Sequence, residues 1–211
     1  MGSGWIGFLY RITEWITRLA YVNLLWILFT LMGLVVFGAF PATVSLCTVE
    51  RQWIKKDTNV SVWMTFWNTY RNEFLKANAV GYIFLIIGLV IYIDMRVFQG
   101  SSNILFSYVS YIFLIILIFY MFVGMFLFPV YVHFELKVLQ YFKQTFLVAI
   151  LNPFAIVSIA VSILITYFIM FYMPPLLIFF GISVLAFITM WLTLRSIDKL
   201  QVKFNNRYKE G

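Results

Sequence analysis

Four stretches of the chain contain no Asp, Glu, Lys, Arg or His: Leu19–Val49, Ala77–Ile93, Val97–Val132 and Gln144–Leu194. One membrane crossing takes about 20 apolar residues at a rise of about 1.5 Å each. The last stretch is long enough for two crossings, and its sharp break is Pro174-Pro175, so it predicts two helices joined by a tight turn. The pattern as a whole predicts five transmembrane helices, near 19–40, 77–95, 104–128, 147–172 and 175–194.

Two amphipathic segments accompany these spans. Trp5, Phe8, Leu9, Ile12, Trp15, Ile16 and Leu19 recur at helical spacing, with Arg11, Glu14 and Arg18 opposite them. They predict an interfacial helix over residues 1–18, its tryptophans at headgroup depth. Residues 41–76 predict a helical hairpin, with Asp57-Thr58-Asn59 as its turn. Its first limb extends the first span through Pro41 to about Lys55. Its second limb carries an aromatic stripe, Trp63, Phe66, Trp67, Tyr70 and Phe74, opposite Asn68, Arg71 and Asn72. Residues 195–211 form a tail. The expectation for 1–211 is one all-α membrane domain, a polytopic five-helix bundle with an interfacial N-terminal helix and a cytoplasmic helical hairpin.

Charge sets the orientation. The 50–76 loop, the 133–143 loop and the tail together hold twelve lysines and arginines, against Arg11, Arg18 and Arg96 on the other side. The positive-inside rule then places the loops and the C-terminus in the cytoplasm and the N-terminus outside, in a multi-pass protein of the plasma membrane. A second threading folds the 19–49 run as a re-entrant hairpin broken near Gly38 and Pro41. It brings the N-terminus inside and makes the count fourteen against one. Limbs of about 15 residues fall short of a hydrocarbon core of about 30 Å, which favours the single crossing.

Composition agrees with a bilayer as solvent: 64% of residues are hydrophobic and 11% charged, where soluble domains have about a quarter charged. The net charge of +7 is assigned to orientation and to anionic lipid, not to nucleic acid, for which no motif is present. Cys47 is the one cysteine and His133 the one histidine, which removes disulfides and multi-histidine metal centres. No nucleotide-binding, acyl-transfer or metalloprotease motif occurs, so neither enzyme action nor a cofactor is expected. No ionisable residue lies well inside a span, which argues against an autonomous proton-coupled carrier.

Two sets of residues stand out as candidate sites. The aromatic stripe exceeds what a solvated helix needs, so it must cover its own bundle, lipid headgroups or a protein partner. Pro41, Pro129 and Pro153 fall near the cytoplasmic ends of spans one, three and four, with Asn152 beside the last. They mark either helix ends or a hinge lined by a small polar vestibule. Asn152, Ala155, Ser158, Ser162 and Thr166 form an arc of small residues suited to close helix packing.

The strings Tyr21-Val22-Asn23-Leu24-Leu25-Trp26, Gly38-Ala39-Phe40-Pro41-Ala42-Thr43, Thr65-Phe66-Trp67, Glu73-Phe74, Lys76-Ala77-Asn78, Phe128-Pro129 and Phe134-Glu135 resemble the YesL family of bacterial membrane proteins (domain of unknown function 624). The resemblance runs over about residues 5–195. It implies a bacterial plasma-membrane protein associated with oligosaccharide uptake, because such proteins are typically encoded beside carbohydrate ABC import systems. The expected function is a non-enzymatic accessory protein that binds ABC transporter subunits and stabilises or regulates the importer. The alternative is an autonomous small transporter or channel.

Overall fold

The computed structural model describes the backbone of residues 5–57, 60–100 and 104–210, and within these the side chains of residues 7–199. The Trp5 side chain, the Thr58-Asn59 turn and the side chains of the tail lie outside the described residues. Eight helices follow in order: α1 (Trp5–Met32), α2 (Ala39–Ile54), α3 (Val62–Gln99), α4 (Ile104–Gly124), α5 (Leu127–His133), α6 (Val138–Leu151), α7 (Pro153–Tyr172) and α8 (Pro175–Glu210). Five helical stretches are long and apolar enough to cross a membrane: Gly7–Met32, Val62–Gln99, Ile104–His133, Pro153–Tyr172 and Pro175–Lys199. The expected all-α architecture with five long apolar helices is present among the described residues.

Several boundaries differ from expectation, each for a local reason. The predicted 19–40 span is interrupted, because the chain reverses over residues 33–38 and α2 returns antiparallel along α1. Two facing pairs show the reversal: Trp26 donates its indole N–H to Thr43 Oγ at 3.0 Å, and Trp15 meets Trp53 edge to face. The turn places Leu34 and Val35 at φ 56° and 65°, costly conformations for residues with a branched side chain. Gly33 and Gly38 serve a different need: a Cβ on Gly33 would collide with the Gly38 backbone, and one on Gly38 with the Thr30 carbonyl. The two strands of the turn touch because neither carries a side chain.

The interfacial helix expected over 1–18 has no boundary of its own and is the first half of α1. The second limb of the 41–76 hairpin is likewise the start of α3, continuous with the 77–95 span. Residues 147–151 belong to α6, so the fourth span starts at Pro153. The tail continues α8 as helix to Glu210. The prolines initiate helices: Pro41, Pro129, Pro153 and Pro175 all lie in a first turn, where a missing N–H leaves no bond unmade. Of the two alternatives for Pro41, Pro129 and Pro153, helix end or hinge, these positions accord with helix ends.

Contacts group the chain into two compact units. In the first, Met1–Phe74 with Val161–Trp191, Asn23 is almost fully buried and joins α1 to α8. Its amide nitrogen donates to the Ile178 carbonyl at 2.7 Å, and its oxygen accepts from the N–H groups of Ile182 and Ser183 at 3.1 and 3.0 Å. Ile178 and Ile182 stand one helical turn apart, so the side chain inserts into the α8 ladder and satisfies both of its sides.

In the second unit, Leu75–Ala160 with Leu192–Gly211, α3 and α4 meet where Phe84 stacks on Tyr120 at 4.5 Å. The Tyr120 hydroxyl donates to the Phe84 carbonyl. The ring of Phe84 occupies the space that a Cβ at Gly124 would need. Tyr141 of α6 closes the segment between α5 and α6: it accepts from Leu136 N–H and donates to the Phe134 carbonyl, each at 3.1 Å. It also stacks on Tyr131, and the Lys76 ammonium lies 5.4 and 5.2 Å from these two rings, a cation–π arrangement.

Replacing Asn23 by Leu keeps the volume and removes all three bonds to α8. The expected loss is about 1–3 kcal/mol, read as a lower thermal midpoint in detergent. An unchanged midpoint would show that α8 closes its own ladder at no cost.

Candidate functional site

The aromatic stripe is divided by burial. Phe66 and Tyr70 point inward onto Phe29 of α1, with ring centroids 5.0 Å away in each case. The Tyr70 hydroxyl donates to the Phe29 carbonyl at 3.1 Å. That bond ties the start of α3 to the last turn of α1, beside the reversal. Trp63 and Trp67 flank the same Phe29 ring, both at 5.7 Å, yet keep 48% and 36% of their surface exposed. Phe74 is half-buried and packs edge to face on Tyr70. Of the five stripe residues, then, Trp63 and Trp67 offer an accessible face, with Phe74 at its margin; Phe66 and Tyr70 hold it in place and are out of reach of a partner.

The four proline-linked residues are divided between the two units, Pro41 in the first and Pro129, Asn152 and Pro153 in the second. Pro41 is buried at the start of α2 and Pro129 at the start of α5. Asn152 and Pro153 do line a cavity of about 380 Å³, together with Leu151, Phe154, Ala155 and Ser158 from the α6–α7 junction and Leu192, Arg195, Ser196 and Lys199 from α8. Asn152 caps the junction, its side chain donating to the Val148 carbonyl at 3.0 Å. The small-residue arc of α7 therefore faces α8 at this level and leaves room there as well as packing.

Elsewhere, in the first unit, Asn23, Trp26, Thr166, Tyr167, Gly181 and neighbouring aliphatic residues line an apolar groove of about 480 Å³ among α1, α7 and α8. Its walls have the composition of an acyl-chain contact.

Glu50 was not singled out from sequence, because it looks like the charged residue that ends an apolar run. In the structure it is 0% exposed, near the end of α2 and outside the five spans, and neither carboxyl oxygen has a hydrogen-bond partner. Burial holds its carboxyl well above the usual carboxylate range. Cys47, one turn earlier and also buried, has its thiol pushed up by burial and, secondarily, by Glu50, which makes it unreactive. The signal that could have found Glu50 is its register: Leu46, Cys47, Val49 and Trp53, which surround it in sequence, are all buried.

The sign of the resulting pH dependence is fixed. An unfolded glutamate loses its proton near pH 4.3, whereas the buried one keeps it to higher pH. Between those values the folded chain binds the extra proton, so stability falls as pH rises. Glu50→Gln should abolish that slope and raise the thermal midpoint most at the alkaline end of a pH 5 to 9 series. Parallel curves for the two proteins would refute the buried acid.

Comparison with known proteins follows this architecture closely. A family model described as "Protein of unknown function, DUF624" matches residues 19–95, which take in the second half of α1, all of α2 and α3 as far as Met95. The chain is similar to the uncharacterized protein YteU of Bacillus subtilis (strain 168), at 35% identity over 202 residues, covering 94% of this chain and 89% of the relative. It is also similar to YesV of that organism, 31% identical with 92% and 94% covered, and to YesL, 34% identical with 90% covered on each side. No solved structure matches. Relatives this similar over nearly their whole length, together with the matched family model, show that the chain belongs to the YesL-like DUF624 family.

Proposed function

We propose that this multi-pass membrane protein is a non-enzymatic accessory subunit that docks on a carbohydrate ABC importer through the face formed by Trp63 and Trp67. The observation that carries the docking face is the split of the aromatic stripe. Two tryptophans are held half-exposed by a buried aromatic base, the arrangement of anchor residues at protein interfaces. The link to sugar import rests on the family resemblance read from the sequence. The reading assigns no catalytic residue and no cofactor.

The same proposal places the N-terminus in the cytoplasm. Because α2 runs back along α1, Arg18 lies over both Trp15 and Trp53, at 5.8 and 5.9 Å. The charged start of α1 and the basic end of α2 thus share one end of the hairpin. Its other end, Leu34 to Phe37, is exposed and wholly apolar. This is the threading with fourteen positive residues on one side and one on the other.

Two experiments test the reading. With importer subunits co-expressed, the wild-type protein should co-purify in mild detergent and Trp63→Ala/Trp67→Ala should not, while the double variant keeps its thermal midpoint to within about 1 kcal/mol of stability. Phe66→Ala should instead unfold the region, at a cost of about 3–5 kcal/mol. Co-purification unaffected by the double variant rejects this face, and solute flux through vesicles holding the protein alone would favour the channel alternative. For the threading, cysteines engineered at positions 10 and 56 should react with an impermeant reagent from the same side. Labelling from opposite sides rejects the hairpin topology.

A further inference from the structure

We propose that the cavity between the start of α7 and the end of α8 is a phosphate-ester site that holds the headgroup of an anionic phospholipid. Four independent features of the site converge on this ligand.

The first is charge. Arg195 and Lys199 stand one helical turn apart on α8 and both line the cavity, whereas none of the lining residues is acidic. Asp198, next to Lys199 in sequence, is exposed and is not part of the lining.

The second is the backbone. Pro153, Phe154 and Ala155, the first three residues of a 20-residue helix, form the opposite wall. Pro153 has no N–H and the Ala155 N–H already bonds the Asn152 carbonyl at 2.9 Å, so the Phe154 N–H is the one donor of these three left for a ligand, beside the partial positive charge of the helix start. Asn152, just before it, turns its side chain back to Val148.

The third is a hydroxyl on the cavity wall. Ser196 is 6% exposed and lines the cavity, and no hydrogen bond of its side chain to a described residue accompanies it. A phosphate oxygen seated between Arg195 and the α7 N-terminus would accept a hydrogen bond from it.

The fourth is depth. The candidate span of α7 begins at Pro153 and the uncharged run carried by α8 ends at Leu194, so the cavity lies where α7 enters the apolar layer and α8 leaves it. That level is occupied by lipid phosphates, and basic pockets between helices at this depth suit anionic headgroups. An inner-leaflet position is the one that the positive-inside rule gives these cations. A phosphate diester and free inorganic phosphate share the chemistry recognised here, and the experiment separates them.

The test uses the full chain, purified in mild detergent and titrated with phosphatidylglycerol or phosphatidylcholine under native mass spectrometry. The wild-type protein should bind phosphatidylglycerol about tenfold more tightly than phosphatidylcholine, and Arg195→Gln/Lys199→Gln should erase that preference. Ser196→Ala should weaken it about threefold, and Lys55→Gln, at an exposed cation that does not line the cavity, should leave it intact. If the double variant does not yield folded protein, Lys199→Gln alone carries the test, with a loss of about threefold or more expected. Displacement of phosphatidylglycerol by millimolar inorganic phosphate would show that the free anion also fits. No displacement would show that the headgroup is required, and either result supports the site so long as it depends on Arg195 and Lys199. Equal binding of both lipids, or a preference that survives the cation substitutions, overturns the proposal.

Discussion

Inside a bilayer no water is at hand to satisfy a broken helix, so each interruption must find partners for its own backbone groups. The helix breaks of this chain are organised around that demand. The reversal after α1 is closed by bonds from Gly33, Val35, Phe37 and Ala39 to carbonyls at Phe29, Thr30, Gly33 and Val35. The step between α4 and α5 is bridged by tighter bonds from Met125 to Phe122 and from Phe126 to Val123. At Asn152 both the backbone and the side-chain amide reach back into α6. Asn23 applies the same remedy at a distance, since its amide substitutes for a turn of backbone in a neighbouring helix. The prolines sit just after the breaks, where their lack of a donor is harmless.

Lipid tails are as apolar as a leucine side chain, so helices gain little from hiding grease from one another, and close fit must hold them instead. With 21% aromatic residues, this protein achieves fit through rings. Phe29 is the hub where α1 meets the start of α3, Trp15 joins Trp53 and Phe187, and Phe84 stacks on Tyr120. The tyrosines among them also carry a hydroxyl to a backbone carbonyl, at Phe29, Phe84 and Phe134. A ring that packs and donates in one side chain positions a helix in both rotation and height.

The five apolar helices and the amphipathic start of α3 were legible from sequence because hydropathy over 20 residues is a strong signal. The reversal at 33–38 was legible only as a competing possibility. Its residues are uniformly apolar, and its positive φ angles fall on Leu34 and Val35, which as residue types give no hint of a turn. The stripe Trp63 to Phe74 was visible as a stripe, but its division into a buried base and an exposed rim depends on Phe29, more than thirty residues away. Glu50 and Asn23 were missed as centres of structure for one reason: their importance lies in which partners they lack or find in three dimensions. The cavity was half legible. Asn152 and Pro153 mark its α7 side, while Arg195 and Lys199 read as ordinary flanking charges until α8 brings them opposite.

The helical continuation of α8 sets a distance. Its uncharged run ends at Leu194, yet the helix runs on to Glu210. At about 1.5 Å per residue its backbone can extend about 24 Å beyond that run. Physiological salt attenuates electrostatic attraction within about 8 Å. The last turns of the helix, where the sequence places Lys203, Arg207 and Lys209, can therefore extend beyond the layer in which the charge of the lipid surface is felt.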